Sequence, residues 1–132
     1  MAEVSVSSPW IIDTFAIMAY LKDEPGADMV ADLFAKANRR SAVLLMHAVN
    51  VGEVYYALAR HHGELAADQA YSVMKRYPIA YLHDMPEGLL LTAARLKARY
   101  AISYADCFAV ATALTHQGRL VSGDPDLAPL IR

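Results

Sequence analysis

Trp10-Ile11-Ile12-Asp13-Thr14 is the stretch that decides the fold. Apolar residues run into a carboxylate, and Thr14-Phe15-Ala16-Ile17-Met18-Ala19-Tyr20-Leu21 follows without a breaker. The first part reads as a short buried strand and the second as a helix, the opening of an α/β unit. Open α/β sheets bind ligands outside the carboxyl ends of their strands, so Asp13 stands where such a fold places its chemistry.

The same alternation continues outward. Asp23-Glu24-Pro25-Gly26 breaks the first helix, and Ala27 to Arg39 carries Met29, Val30, Leu33, Phe34 and Ala37 at helical spacing. Ala42 to Met46 is a continuous apolar run, expected as the second strand, with His47-Ala48-Val49 as the turn out of it. Asn50 to His61 is a third helix, stopped by His61-His62-Gly63. Leu65 to Arg76 is a fourth, followed by a weaker strand at Ile79 to Leu82. Pro86 to Tyr100 reads as a helix with a proline start, and Ser103 to Gln117 as one closed by Gly118. Arg119 to Ser122 is the last strand, and Gly123-Asp124-Pro125 turns out of it. Strands alternating with helices imply right-handed crossovers and a parallel sheet. Residues 1–9 read as an N-terminal extension and residues 10–132 as one domain.

The bulk properties fit. A chain of 132 residues holds one core. Its 56% hydrophobic content and mean hydropathy of +0.22 suit a sheet covered on both faces, with apolar surface left for another chain. The net charge of −2 excludes a generally basic nucleic-acid binder, although four clustered acids would mask a local basic rim. The single cysteine, Cys107, allows neither an internal disulfide nor a cysteine zinc site, which points to a reducing, cytoplasmic setting. No apolar run reaches the ~18 residues of a membrane span. The N-terminus lacks the charged and apolar regions of a signal peptide.

Four acids sit at junctions of this pattern: Asp13 after strand one, Glu53 in the helix after strand two, Asp106 at the start of the last long helix and Asp124 after strand four. In a parallel sheet Asp13, Glu53 and Asp124 share one edge, whereas topology alone would put Asp106 at the other. Each acid taken singly reads first as a helix cap. Asn50-x-x-Glu53 and Ser103-x-x-Asp106 resemble capping boxes, and Asp13 and Asp124 resemble N-caps. Taken together they repel one another in one pocket unless a hard cation binds there, and oxygen-only ligands suit Mg²⁺ or Mn²⁺. Such a metal lowers the pKa of a bound water and stabilises charge on a phosphate, which makes phosphodiester hydrolysis the natural reaction. Thr14, Ser103 and Ser122 are candidates to orient its waters, with capping or turn formation as the competing reading. Asp126 is a weaker fifth acid, also readable as a cap.

Ile11-Ile12-Asp13-Thr14-x-Ala16, Asn50-x-x-Glu53, Ser103-Tyr104-Ala105-Asp106-Cys107-Phe108-Ala109 and Leu120-Val121-Ser122-Gly123-Asp124-Pro125-Asp126-Leu127 resemble the four motifs of the PIN-domain ribonucleases, in particular the VapC-type toxins of bacterial toxin–antitoxin pairs. The resemblance spans about residues 10 to 130 and rests on four motifs in order. It implies a three-layer α/β/α domain and Mg²⁺- or Mn²⁺-dependent cleavage of RNA. It also implies that Asp13, Glu53, Asp106 and Asp124 hold the metal, with Asp106 brought round to the common pocket. A homodimer and a cognate antitoxin partner are implied as well. The family continues after the Gly-Asp-Pro turn into a final strand, whereas this chain ends at Arg132. His47, beside the site edge and outside the family pattern, reads as a substrate contact or a surface residue.

Other features carry less. His61-His62 suits a helix C-terminus, where positive charge is favourable. Cys107 has no nucleophile's partners and reads as a small buried residue. Tyr55-Tyr56, Tyr77 and Tyr81 read as core or dimer packing before base stacking. Arg39-Arg40, Lys75-Arg76 and Arg95-x-Lys97-x-Arg99 are equally phosphate contacts or solvated helix charges. The expected protein is therefore a metal-dependent endoribonuclease toxin, and the alternative is a PIN-fold module that binds a partner without cutting.

Overall fold

The computed structural model describes residues 8–122. The elements run β1 (Trp10–Ile12), α1 (Thr14–Leu21), α2 (Ala27–Asn38), β2 (Leu44–His47), α3 (Ala48–His62), α4 (Glu64–Met74), β3 (Ala80–Leu82), α5 (Glu87–Arg99), α6 (Tyr104–Thr115) and β4 (Arg119–Val121). All strand pairings are parallel, in the order β3-β2-β1-β4, with Ile11 opposite Leu45 and Leu120. Each connection between strands contains two helices.

The hydrophobic pattern explains the layers. One core gathers Ile12, Leu44, Met46 and Val121 of the sheet with Ile17, Val30, Leu33, Phe34, Val54, Leu58 and Met74 of the first four helices. Tyr20, Phe34 and Tyr77 meet within it, with ring centroids 4.9–5.6 Å apart. A second core joins Leu89 and Ala93 of α5 to Ile102, Cys107, Phe108, Val110 and Ala111. Every residue of α6 from Cys107 to Thr112 is buried, as expected of a helix apolar on all sides. Each burial keeps apolar surface from water, at about 25 cal/mol per Å². The result is the expected three-layer α/β/α arrangement.

The topology fixes the site. From β1 the chain steps to β2 and β3 on one side, then crosses to β4 on the other side of β1. The strand order therefore reverses at β1 and β4, and ligands bind outside the carboxyl ends of strands at such a reversal. Asp13 follows β1 and Ser122 follows β4.

Three local expectations need correction. His47 closes β2 and Ala48 already begins α3, so no turn separates them. His47 is 1% exposed, neither a surface residue nor a substrate contact: its Nδ1 accepts from the Val49 N–H at 3.1 Å and caps α3. Finally, Gln117 rather than Gly118 takes the left-handed turn after α6, with φ 51°. Gly118 is needed for close approach, since a Cβ there would lie 2.8 Å from the Pro9 carbonyl oxygen.

Candidate active site

Three helices begin at one place, each with its own cap. The Asp13 side chain takes the Ala16 N–H at 2.8 Å to start α1, and the Ser103 hydroxyl takes the Asp106 N–H at 3.0 Å to start α6. His47 starts α3. Asn50 joins the three. Its backbone carbonyl accepts the Thr14 hydroxyl at 3.3 Å, and its Nδ2 donates to Thr14 Oγ1 at 3.3 Å and to the Ala105 carbonyl at 3.0 Å. The amide cannot be turned round, because that would set two oxygens 3.0 Å apart at Ala105. Asn50 is fully buried, and its Oδ1 is buried without a hydrogen-bond partner among the described residues. It is therefore a tie between helices and not the capping residue that Asn50-x-x-Glu53 suggests.

The tie also answers the question of Asp106. Two helices between β3 and β4 let the second start at the carboxyl edge, and the Asn50–Ala105 bond holds that start beside α3. A cleft of about 400 Å³ opens there, lined by Thr14, Phe15, Met18, Lys22, Glu24, Glu53, Tyr56, Ala57, Ser103 and Asp106. Glu53 lies six residues into α3, past the first turn, and its Oε2 accepts the Tyr56 hydroxyl at 3.3 Å. Tyr56 senses both acids: the Glu53 charge, burial and this hydrogen bond push its hydroxyl up, Asp106 adds to the rise, and Arg60 opposes it.

Not every predicted residue reaches this cleft wall. Asp13 is 1% exposed and adjoins the cleft through its neighbour Thr14. Ser122 lines a separate apolar groove with Phe15, Met29 and Leu120. Asp124 and Asp126 lie outside the described residues. Among the described residues, no three His, Cys, Asp or Glu side chains stand together as a metal-holding group.

Several residues acquire definite roles. Burial holds the His47 imidazole below its ordinary value; the Asp84 carbonyl near Nε2 opposes this and the His83 charge adds to it. Cys107 is buried and its thiol is pushed up, chiefly by burial, which makes it a poor nucleophile. The adjacent tyrosines divide: Tyr55 bonds Asp68 at 2.6 Å and packs on the first core, while Tyr56 is 51% exposed at the cleft. His61 and His62 end α3 as the dipole favours. Sequence reading passed over Lys22 and Arg60. The available signal was the stripe Glu53, Tyr56, Arg60 on one face of α3.

A family model for the PIN domain matches residues 10–130. Comparison with curated protein sequences finds no match. Among solved structures, the chain is similar to the VapC20 toxin of Mycobacterium tuberculosis, described as cleaving the sarcin–ricin loop, with TM-score 0.70, 18% identity and coverage of 91% of this chain and 93% of that one. It is also similar to a chain of the VapBC2 complex of Rickettsia felis, bound to a DNA fragment from its promoter, with TM-score 0.70, 11% identity and coverage of 92% of both chains. A toxin–antitoxin complex from Klebsiella pneumoniae gives TM-score 0.62 at 16% identity, covering 89% of each chain.

Proposed function

Because this chain belongs to the PIN domain family, we propose that it is a divalent-metal-dependent endoribonuclease of the VapC toxin type, restrained by a cognate antitoxin protein. The observation that carries the reading is the position of Glu53. It caps nothing, lies beyond the first turn of α3 and faces the cleft it shares with Asp106. The toxin–antitoxin assemblies among the similar structures support the antitoxin as partner. A homodimer accords with the apolar side chains left at the surface, among them Leu65 at 73% and Leu114 at 61% exposed.

The donor chemistry fits Mg²⁺ or Mn²⁺. Carboxylate and hydroxyl oxygens line the cleft, with neither cysteine sulfur nor imidazole on its walls among the described residues. Asp13, Glu53 and Asp106, with Asp124, would hold the ion, and Thr14, Ser103, Ser122 and Asp126 would support them. When bound, the ion offsets phosphate charge and lowers the pKa of a water. The chain's own groups do the rest. Glu53 receives the proton of the attacking water as the P–O bond to the leaving ribose oxygen breaks and that oxygen takes a proton from solvent, and the Tyr56 hydroxyl holds the Glu53 carboxylate in place. The starts of α1 and α6 face their positive ends toward the scissile phosphate. Asn50 keeps those starts in register.

The test is cleavage of total bacterial RNA in Mn²⁺ or EDTA by the parent, Asp13→Asn and Glu53→Gln. Asparagine can still cap α1, and Glu53 caps nothing, so both variants should fold. Discrete fragments that need metal and disappear in both variants are expected. Cutting that persists in EDTA would overturn the carboxylate mechanism, and intact RNA with the parent free of antitoxin would favour the non-cutting module.

A further inference from the structure

Asp106 lies in the first turn of α6 and Glu53 in the first half of α3, and the residues further along α1 and α3 have their own pattern. Phe15 and Tyr56, on α1 and α3, line the cleft, and they are 45% and 51% exposed. Large aromatic side chains half in water beside an acidic site are poor packing choices and good stacking surfaces. Further along each helix stands a cation. Lys22, at the end of α1, lines the same cleft. Arg60, in the last turn of α3, places its guanidinium 5.5 Å from the Tyr56 ring centroid. The series Glu53, Tyr56, Arg60 follows one face of α3 for about two turns, roughly 10 Å. That length matches about three stacked nucleotides at ~3.4 Å each.

We infer that the surface between α1 and α3 is an RNA-binding groove, in which Phe15 and Tyr56 stack on bases next to the scissile phosphate and Lys22 and Arg60 hold the flanking phosphates. The inference rests on the ribonuclease reading. A phosphodiester held at Glu53 and Asp106 carries nucleotides on both sides, and one of those arms must leave over neighbouring surface. This surface offers rings for bases and cations for phosphates, in the order a strand leaving the carboxylates would need. Glu24 lines the same cleft as Lys22, whereas Arg60 stands over the Tyr56 ring on α3.

The test measures binding of a labelled single-stranded RNA about 12 nucleotides long, and of the same strand annealed to its complement, to the full chain carrying Asp13→Asn to prevent cutting. Phe15→Ala and Tyr56→Ala are each expected to weaken single-strand binding by about 5- to 150-fold, the range of one lost base stack, and to leave duplex binding unchanged. Tyr56→Phe, which keeps the ring, should retain the affinity. Arg60→Ala should lower the slope of log affinity against log salt by about 0.7. Both rings are half-exposed, so the truncations keep the fold, as unchanged melting temperatures will show. Unchanged single-strand affinity in both ring deletions would overturn the inference. Retained RNA affinity with lost binding of purified antitoxin would instead assign the groove to that protein. The two readings separate cleanly: if the unmutated chain cuts RNA with metal and the rings do not matter, only the groove falls. If the Asp13→Asn chain binds no RNA, the groove falls, and metal-dependent cutting by the parent decides the ribonuclease reading.

Discussion

Asn50→Asp is the sharpest perturbation of this architecture. The change is isosteric, yet it turns both Nδ2 donors into acceptors. One would face the Ala105 carbonyl, now 3.0 Å from Nδ2, which cannot donate. The other faces the Thr14 hydroxyl, whose hydrogen already points to the Asn50 backbone carbonyl. The new carboxylate would be fully buried. An uncompensated buried charge costs about 3–5 kcal/mol, and the variant limits that loss by holding its proton. Such a loss raises the folded-state pKa of the new carboxyl above the ordinary ~3.9. The sign follows from the raised folded pKa. Below pH ~3.9 the side chain is neutral in both states, and its O–H can replace one lost donor; the deficit then grows as pH rises and levels off once the folded chain has also lost the proton. Urea melts of variant and parent, compared at equal pH, should show a deficit of about 3 kcal/mol at pH ~8 and a clearly smaller one at pH ~5. A deficit below ~1 kcal/mol at pH ~8, or one independent of pH, would refute the buried tie.

Two further outcomes follow from the same frame. His47 caps α3 through an unprotonated Nδ1 and has a lowered pKa, so the unfolded chain takes up its proton near the ordinary 6.5 before the folded chain does. Parent stability should therefore fall as pH drops below about 6.5, and His47→Asn, a cap that cannot protonate, should flatten that part of the pH–stability curve. Gly118→Ala sets a Cβ 2.8 Å from the backbone oxygen of Pro9, and denaturant melts should show it destabilised by about 1–3 kcal/mol.

The strands and helices were legible because their signals are local. Apolar runs too short for helices marked β1 and β2, and the helical stripes of α2 and α3 marked the layer above them. What escaped was long-range. The expectation that Asn50 starts a helix came from a general preference of asparagine for caps. Histidine is not among the preferred caps, so the earlier start at His47 gave no warning. The Thr14–Asn50 and Asn50–Ala105 contacts span 36 and 55 residues, distances at which pattern says nothing. Tyr55 and Tyr56 were indistinguishable as a pair. Only the rotation of α3, set one residue pair at a time by burial of Val51, Val54 and Leu58, turns one ring to Asp68 and the other to the cleft.

The acids themselves divide in a way the sequence could not show. Asp13 and Asp106 lie at helix starts, where an acid is favoured by about 0.3–1 kcal/mol without any function. Their presence would be explained in a chain that did nothing. Glu53 has no such support, because the dipole effect fades within the first turn and α3 begins at Ala48. It adds charge to a cleft that already holds Asp106, and it accepts a long hydrogen bond, 3.3 Å, from the Tyr56 hydroxyl. A fold selected for stability alone would place a neutral side chain there. Glu53 is thus the acid whose place the fold leaves unexplained, and the proposed chemistry of the cleft rests on it first and on Asp106, which lines the same cleft, second.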